Sequence, residues 1–181
     1  MKPFEEKTLE TERIYEGRVI NLRKDKVTVR DGRTSWREVV ENNGGAVAVA
    51  ITAEGEIIMV RQFRKPFDRV MLEVPAGKIE PGEDPDNTVR RELREETGFT
   101  ADSYELLAEM FPSVGYTTER LFIYLCTGLH KGDTDFDYNE SIEIYKYDFK
   151  KIYQDVISGK IHDGKTIAGV LLAAPKVRSL L

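Results

Sequence analysis

The chain has 181 residues, a formal net charge of −5, 40% hydrophobic and 33% charged residues, and one cysteine, Cys126. That length suits one domain, or one with a small extension, and supports a core that needs no disulfide staple; the lone cysteine allows no intrachain disulfide and fits a reducing cytoplasm. No Lys/Arg block is long enough to track a nucleic-acid backbone, which argues against extended nucleic-acid binding; the N-terminus MKPFEEKTLE holds no apolar h-region, so no signal peptide is visible, and the longest apolar runs are too short to cross a membrane as a helix.

Residues 1–43 read as extended. Val27–Val29 and Trp36–Val40 flank Asp31-Gly32, a strong hairpin turn signal. The segment is polar and predicts an antiparallel β extension. The main domain is placed at 44–181. Ala46–Ile51 and Ile57–Phe63 predict two strands joined in a hairpin through Glu54-Gly55, and Val70–Val74 predicts a third, stopped by Pro75.

Asp84 is an N-cap residue and Pro85 suits the first helical position, so a helix is predicted from there to Thr97, with Gly98 just past its end. Leu106–Phe111 and Leu121–Cys126 predict strands. Pro112–Thr118 between them reads as a ligand-facing loop. Lys131–Asn139 is an acidic, glycine-containing loop, and Ile142–Tyr147 a last strand. Phe149–Ser158 and Lys165–Ala174 predict helices, the second starting at Asp163-Gly164. Strands, a helix, then more strands and helices predict an α+β fold.

The central helix carries the chemistry. Glu92 and Glu96 lie one turn apart on one face, with Glu95 beside them; Val89 and Leu93 occupy a different face suited to the core. Like charges at that spacing oppose the helix by a few tenths of a kcal/mol per pair, ~0.2–0.5. Arg90, Arg91 and Arg94 offset part of this. A hard divalent cation reverses it, and magnesium or manganese prefers oxygen ligands and bridges carboxylates to phosphates.

The full spacing is Gly77, five residues, Glu83, seven residues, Arg91-Glu92-Leu93-x-Glu95-Glu96-x-Gly98-Phe99. It resembles the signature of the Nudix hydrolases at every fixed position. The resemblance implies an α/β/α sandwich around a mixed sheet, and hydrolysis of nucleoside diphosphates linked to another group. It implies Glu92, Glu96 and the Ala76 carbonyl as metal ligands, Glu95 as a ligand or base, Arg91 as an orienting partner, and Glu83 as a support for the loop. The cofactor it implies is Mg2+ or Mn2+.

Arg61–Arg64, Leu72–Gly77 and Asp163–Thr166 are further similar to the ADP-ribose pyrophosphatase subfamily, and the N-terminal extension is like theirs. There the extension builds a homodimer and completes the substrate site. Carried over by residue, Arg64 resembles a phosphate contact, Arg37 a residue near the nucleoside, Trp36 a stacking surface for adenine, and Glu119 a residue near the terminal ribose. Glu140 aligns with a loop glutamate that serves as general base, and Glu95 is the helix alternative.

One position departs from the subfamily. Val114 stands where its marker proline falls, and the loop loses a fixed φ. The implied reaction is hydrolysis of ADP-ribose to AMP and ribose 5-phosphate. GDP-mannose or another nucleoside diphosphate sugar is the alternative substrate, and a non-catalytic ADP-ribose sensor a further alternative. The intact set of signature carboxylates argues against the sensor.

Overall fold

The computed structural model describes residues 4–133 and 141–177. The chain divides into two compact units, each described by itself: the chain up to Gly44 with Ser113–Glu119, and Gly45–Pro112 with the chain from Arg120 onward.

The first unit is a three-stranded antiparallel meander of β1 (Lys7–Glu16), β2 (Asn21–Thr28) and β3 (Thr34–Glu41). β2 and β3 pair in unbroken register from Asn21↔Glu41 to Thr28↔Thr34, around the turn signalled by Asp31-Gly32. The sheet is thin: β1 is exposed along its length, and Asp25 and Val27 of β2 are its buried side chains among the described residues. Asp25 tolerates burial because the Thr11 hydroxyl donates to it at 2.8 Å and Arg23 pairs with it at 3.1 Å. Ser113–Glu119 joins this unit through its backbone: Val40 N–H donates to the Tyr116 carbonyl at 2.7 Å, and Thr118 N–H to the Val40 carbonyl at 2.9 Å.

The second unit is built on β4 (Gly45–Ala50), β5 (Glu56–Arg64), β6 (Arg69–Glu73), β7 (Ala76–Lys78), β8 (Phe99–Met110), β9 (Leu121–Lys131) and β10 (Ile142–Asp148). One sheet is mixed, in the order β7-β4-β9-β8, with β4 and β9 parallel; the other is antiparallel, in the order β10-β5-β6. Among the described residues, α-helices α1 (Pro85–Thr97), α2 (Phe149–Ile157) and α3 (Gly164–Ala173) cover them.

The continuous apolar run of β4 follows from burial on both faces. Val47, Val49 and Ile51 point into one core with Phe149 and Ile152 of α2 and Val170 and Ala173 of α3. Ala46, Ala48 and Ala50 point the other way, against Val89 and Leu93 of α1. This gives the layered α/β/α arrangement expected from the resemblance.

Two local expectations are corrected. Ala46–Ile51 and Ile57–Phe63 do not form a hairpin. The turn at Gly55 exists, but after one bridge, Ile51↔Ile57, the strands part into different sheets. Both edges of β4 are already taken, by β7 and β9, so β5 pairs with β6 and β10 instead. The strand predicted at Leu106–Phe111 is also much longer, starting at Phe99 directly after the helix cap. Its mostly polar first half gives Phe99, Ala101 and Tyr104 to the α1-side core and is otherwise held by pairing with β9, from Phe99↔Lys131 to Met110↔Leu121.

Candidate active site

α1 forms where its caps place it. The Asp84 carboxylate accepts from Asp86 N–H at 2.9 Å, Pro85 takes the first position, and Gly98 closes the helix in the left-handed region at φ 72°. Val89 and Leu93 are fully buried and fix the rotation of the helix. The acidic side chains therefore face β7 and the loop that follows it.

Arg91 organises that face. Its Nε and Nη2 donate to the two oxygens of Glu83 at 3.0 Å each, and Nη2 also donates to the Lys78 carbonyl at 3.0 Å. Nη1 donates to Glu92 at 2.7 Å and to Glu95 at 3.0 Å. One planar fork thus gathers three carboxylates that would otherwise repel. The Arg91 hydrogen bonds are the largest influence on Glu83, whose carboxyl is held down at about 2. Glu83 in turn raises the pKa of Arg91.

Glu96 is buried, 3% exposed, and its Oε2 accepts from Ala76 N–H at 3.0 Å. Ala76 begins β7, and Gly77 follows. A Cβ at Gly77 would fall inside the Glu92 carboxylate, far closer than real Cβ atoms approach. The glycine is therefore needed for a close approach and leaves a cradle for Glu92.

The residues present fit a divalent metal in kind. Glu92, Glu95 and Glu96 supply only hard oxygen donors, and the Gly77 cradle holds one of them against β7. As they stand, Glu92 and Glu95 are turned to Arg91 and Glu96 to the Ala76 amide, and no three acidic side chains converge as a metal cluster among the described residues.

A second charged cluster lies in the same unit. Arg64, at the end of β5, donates through Nε and Nη2 to the two oxygens of Glu73, at 2.7 and 2.6 Å. Glu73 is 1% exposed and also pairs with Lys165 of α3. Burial works to raise the Glu73 carboxyl, but Arg64 and Lys165 hold it below its ordinary value. Asp163 caps α3: it accepts from Thr166 N–H at 3.0 Å and from the Thr166 hydroxyl at 2.6 Å, and it pairs with Lys165 at 3.0 Å. The Thr166 oxygen accepts from Val74 N–H at 2.9 Å.

The predicted site residues thus fall into groups. Ala76, Arg91, Glu92, Glu95 and Glu96 come together around α1 and β7. Arg64 is engaged by Glu73. Trp36, Arg37 and Glu119 belong to the first unit: Lys24 Nζ sits 4.7 Å from the Trp36 ring, Arg37 Nε donates to Glu6 at 2.9 Å, and Glu119 N–H donates to the Thr117 hydroxyl at 3.1 Å. Glu140 lies outside the described residues. The partnership of Glu73 with Lys165 was missed from sequence; its one signal is a glutamate inside the otherwise apolar run Val70–Val74.

The NUDIX domain family matches residues 42–167, and the nucleoside diphosphate sugar hydrolase N-terminal domain matches residues 6–40. The chain belongs to the NUDIX family. A relative described as a methanol dehydrogenase activator, from Bacillus methanolicus, is 40% identical over 93% of this chain and 92% of its own. An ADP-ribose pyrophosphatase from Bacillus subtilis (strain 168) is 39% identical over 92% of this chain and 91% of its own. A crystal structure of an ADP compounds hydrolase superposes with a TM-score of 0.85 at 18% identity, covering 96% of this chain and 95% of that one, which is a likeness of fold. Nudix hydrolases are in general dependent on a divalent metal.

Proposed function

We propose that this protein hydrolyses the diphosphate bond of ADP-ribose to AMP and ribose 5-phosphate, with Mg2+ or Mn2+ as cofactor. The observation that carries the reading is the Arg91-centred set of carboxylates on α1 and the loop before it, with Glu92 seated in the Gly77 cradle. The Bacillus subtilis pyrophosphatase, alike over both units, supports the choice of substrate.

In this reading Glu92, Glu96 and the Ala76 carbonyl hold the metal, with Glu95 as a further ligand or the base. A bound divalent ion supplies charge neutralisation at the diphosphate and lowers the pKa of water. The chain's own residues do the rest. Arg91 holds Glu92 and Glu95 in place. Arg64 meets a phosphate, Trp36 stacks on adenine, Arg37 lies near the nucleoside, and Glu119 near the terminal ribose. Glu140 takes the proton from water as its oxygen bonds to phosphorus and the P–O bond to the bridging oxygen breaks. Attack at either phosphorus gives the same two products.

The protein acts as a homodimer in the cytoplasm in this reading, the thin sheet of the first unit serving as the dimerisation element. Deleting residues 1–40 is expected to yield monomers with poor substrate binding, read by light scattering and KM. The second reading keeps the chemistry and changes the sugar nucleotide. It is favoured by Val114, which is 85% exposed where the subfamily has proline. Side-by-side hydrolysis of ADP-ribose, GDP-mannose and dinucleotides with Mg2+ or Mn2+ separates the two. ADP-ribose should give the highest kcat/KM; a higher value for GDP-mannose replaces the first reading with the second.

A further inference from the structure

Arg64 is asked to meet a phosphate, yet it is bound fork to fork by Glu73. Glu73 is 1% exposed. A buried carboxylate left without a cation is strongly unfavourable. Arg64 can turn toward a substrate only if Glu73 keeps another counter-ion.

Lys165 has the position for that. It pairs with Glu73 Oε2, the oxygen that also receives Arg64 Nη2. Its side chain is itself largely buried, 13% exposed, and is anchored to Asp163 at 3.0 Å. Asp163 is fixed in turn as the cap of α3, and Thr166 ties that cap to the Val74 backbone next to Glu73. Lys165 therefore stays when Arg64 leaves. Glu73 and Asp163 balance Arg64 and Lys165 in charge, and Glu96 also acts on Arg64 from outside these four. Once Arg64 turns outward, the positive charge it carries goes to the substrate, and Glu73 still has a cation in contact.

We infer that Lys165 is a positioning residue: it is the standing counter-ion of Glu73 that frees Arg64 to bind the diphosphate of the substrate. The inference rests on the phosphate-binding reading of Arg64 above. Without the lysine, the full charge of Glu73 falls on Arg64 and holds it inward. Without the charge on Glu73, the lysine is no longer needed.

The test uses the full chain with Lys165→Met, Lys165→Arg, Glu73→Gln and the Glu73→Gln/Lys165→Met double variant, each checked for folding by thermal melting. Steady-state kinetics on ADP-ribose should show KM raised about tenfold in Lys165→Met with kcat changed far less. Lys165→Arg should restore most of the loss. The double variant should bind no worse than Glu73→Gln alone, a rescue that a merely structural lysine does not give. Calorimetric titration with inorganic pyrophosphate, which carries the diphosphate and no nucleoside, should show the same pattern without turnover. If Lys165→Met does not fold, Lys165→Gln, which keeps a hydrogen-bond donor and loses the charge, takes its place. Unchanged KM and pyrophosphate affinity in a folded Lys165→Met overturn the inference, as does an equal loss from Lys165→Met in the Glu73→Gln background. A wild-type protein inactive on ADP-ribose overturns the substrate reading alone, and the pyrophosphate titration then decides the role of Lys165.

Discussion

Replacing Gly77 by alanine separates the fold of the signature loop from the position of Glu92. Gly77 is not among the residues at positive φ, so the backbone accepts alanine. The reduced freedom of the unfolded chain even favours folding, by about 0.4–1 kcal/mol. The difficulty is local. The new Cβ would meet Cδ and both oxygens of Glu92 well inside the 3.0 Å limit. Those atoms are the far end of a flexible side chain, so the fold survives and the carboxylate withdraws, by about 1.5 Å to regain ordinary contact. Its 2.7 Å bond from Arg91 is lost or lengthened. A magnesium ion accepts oxygen only at a reach of about 2.1 Å, so a ligand displaced that far no longer serves. Misplacement by an ångström costs on the order of 100-fold in rate, about 2.7 kcal/mol of barrier. Gly77→Ala should therefore shift the urea midpoint by the equivalent of about 1 kcal/mol or less. It should weaken Mn2+ binding, read by electron paramagnetic resonance, and lower kcat/KM about 100-fold. A folded variant with wild-type Mn2+ affinity and near-normal kcat/KM refutes Glu92 as a metal ligand.

The carboxyl of Glu83 is depressed to about 2 in the folded chain against an ordinary 4.5. Its contribution to stability is therefore full above pH 4.5 and is lost as pH falls toward 2; Glu83→Gln should flatten that stretch of the stability profile, and urea midpoints that fall equally for both proteins dismiss the pair with Arg91 as its cause. Thr166→Val leaves the Val74 N–H without its acceptor and should lower stability by about 1–3 kcal/mol in urea unfolding; a neutral result means another acceptor replaces the hydroxyl. Glu140→Gln should cut turnover by on the order of 100-fold with KM little changed, and near-normal turnover removes Glu140 as the base.

Local signals in the sequence were strongest where one residue type determines the backbone. Asp84, Pro85 and Gly98 bound α1, and Asp163-Gly164 marked the start of α3, because caps act within one turn. The apolar run of β4 was visible for the same reason. Its pairing was not. Whether β4 joins β5 or β9 depends on which edges are free after the whole sheet is assembled, and a turn at Gly55 is compatible with either. The extent of β8 was hidden too, since the inward set of Phe99, Ala101 and Tyr104 is broken at Asp102-Ser103 and backbone pairing with β9 carries the strand across the break.

The site divides along the same line. Arg91 and its carboxylates sit within two turns of helix and one short loop, so their spacing in sequence nearly determines their contacts. The Glu73 cluster joins β5, β6 and α3, with Glu73 and Lys165 92 residues apart in the chain. No local pattern encodes that. Arg64 alone resembles a phosphate contact, and in the fold it is first the partner of a buried acid. Both descriptions hold if the buried acid has a second cation, and Lys165 is the residue the fold supplies. In the reading proposed above, the charge that meets the diphosphate is thereby placed under the control of α3, through a carboxylate that is buried from solvent.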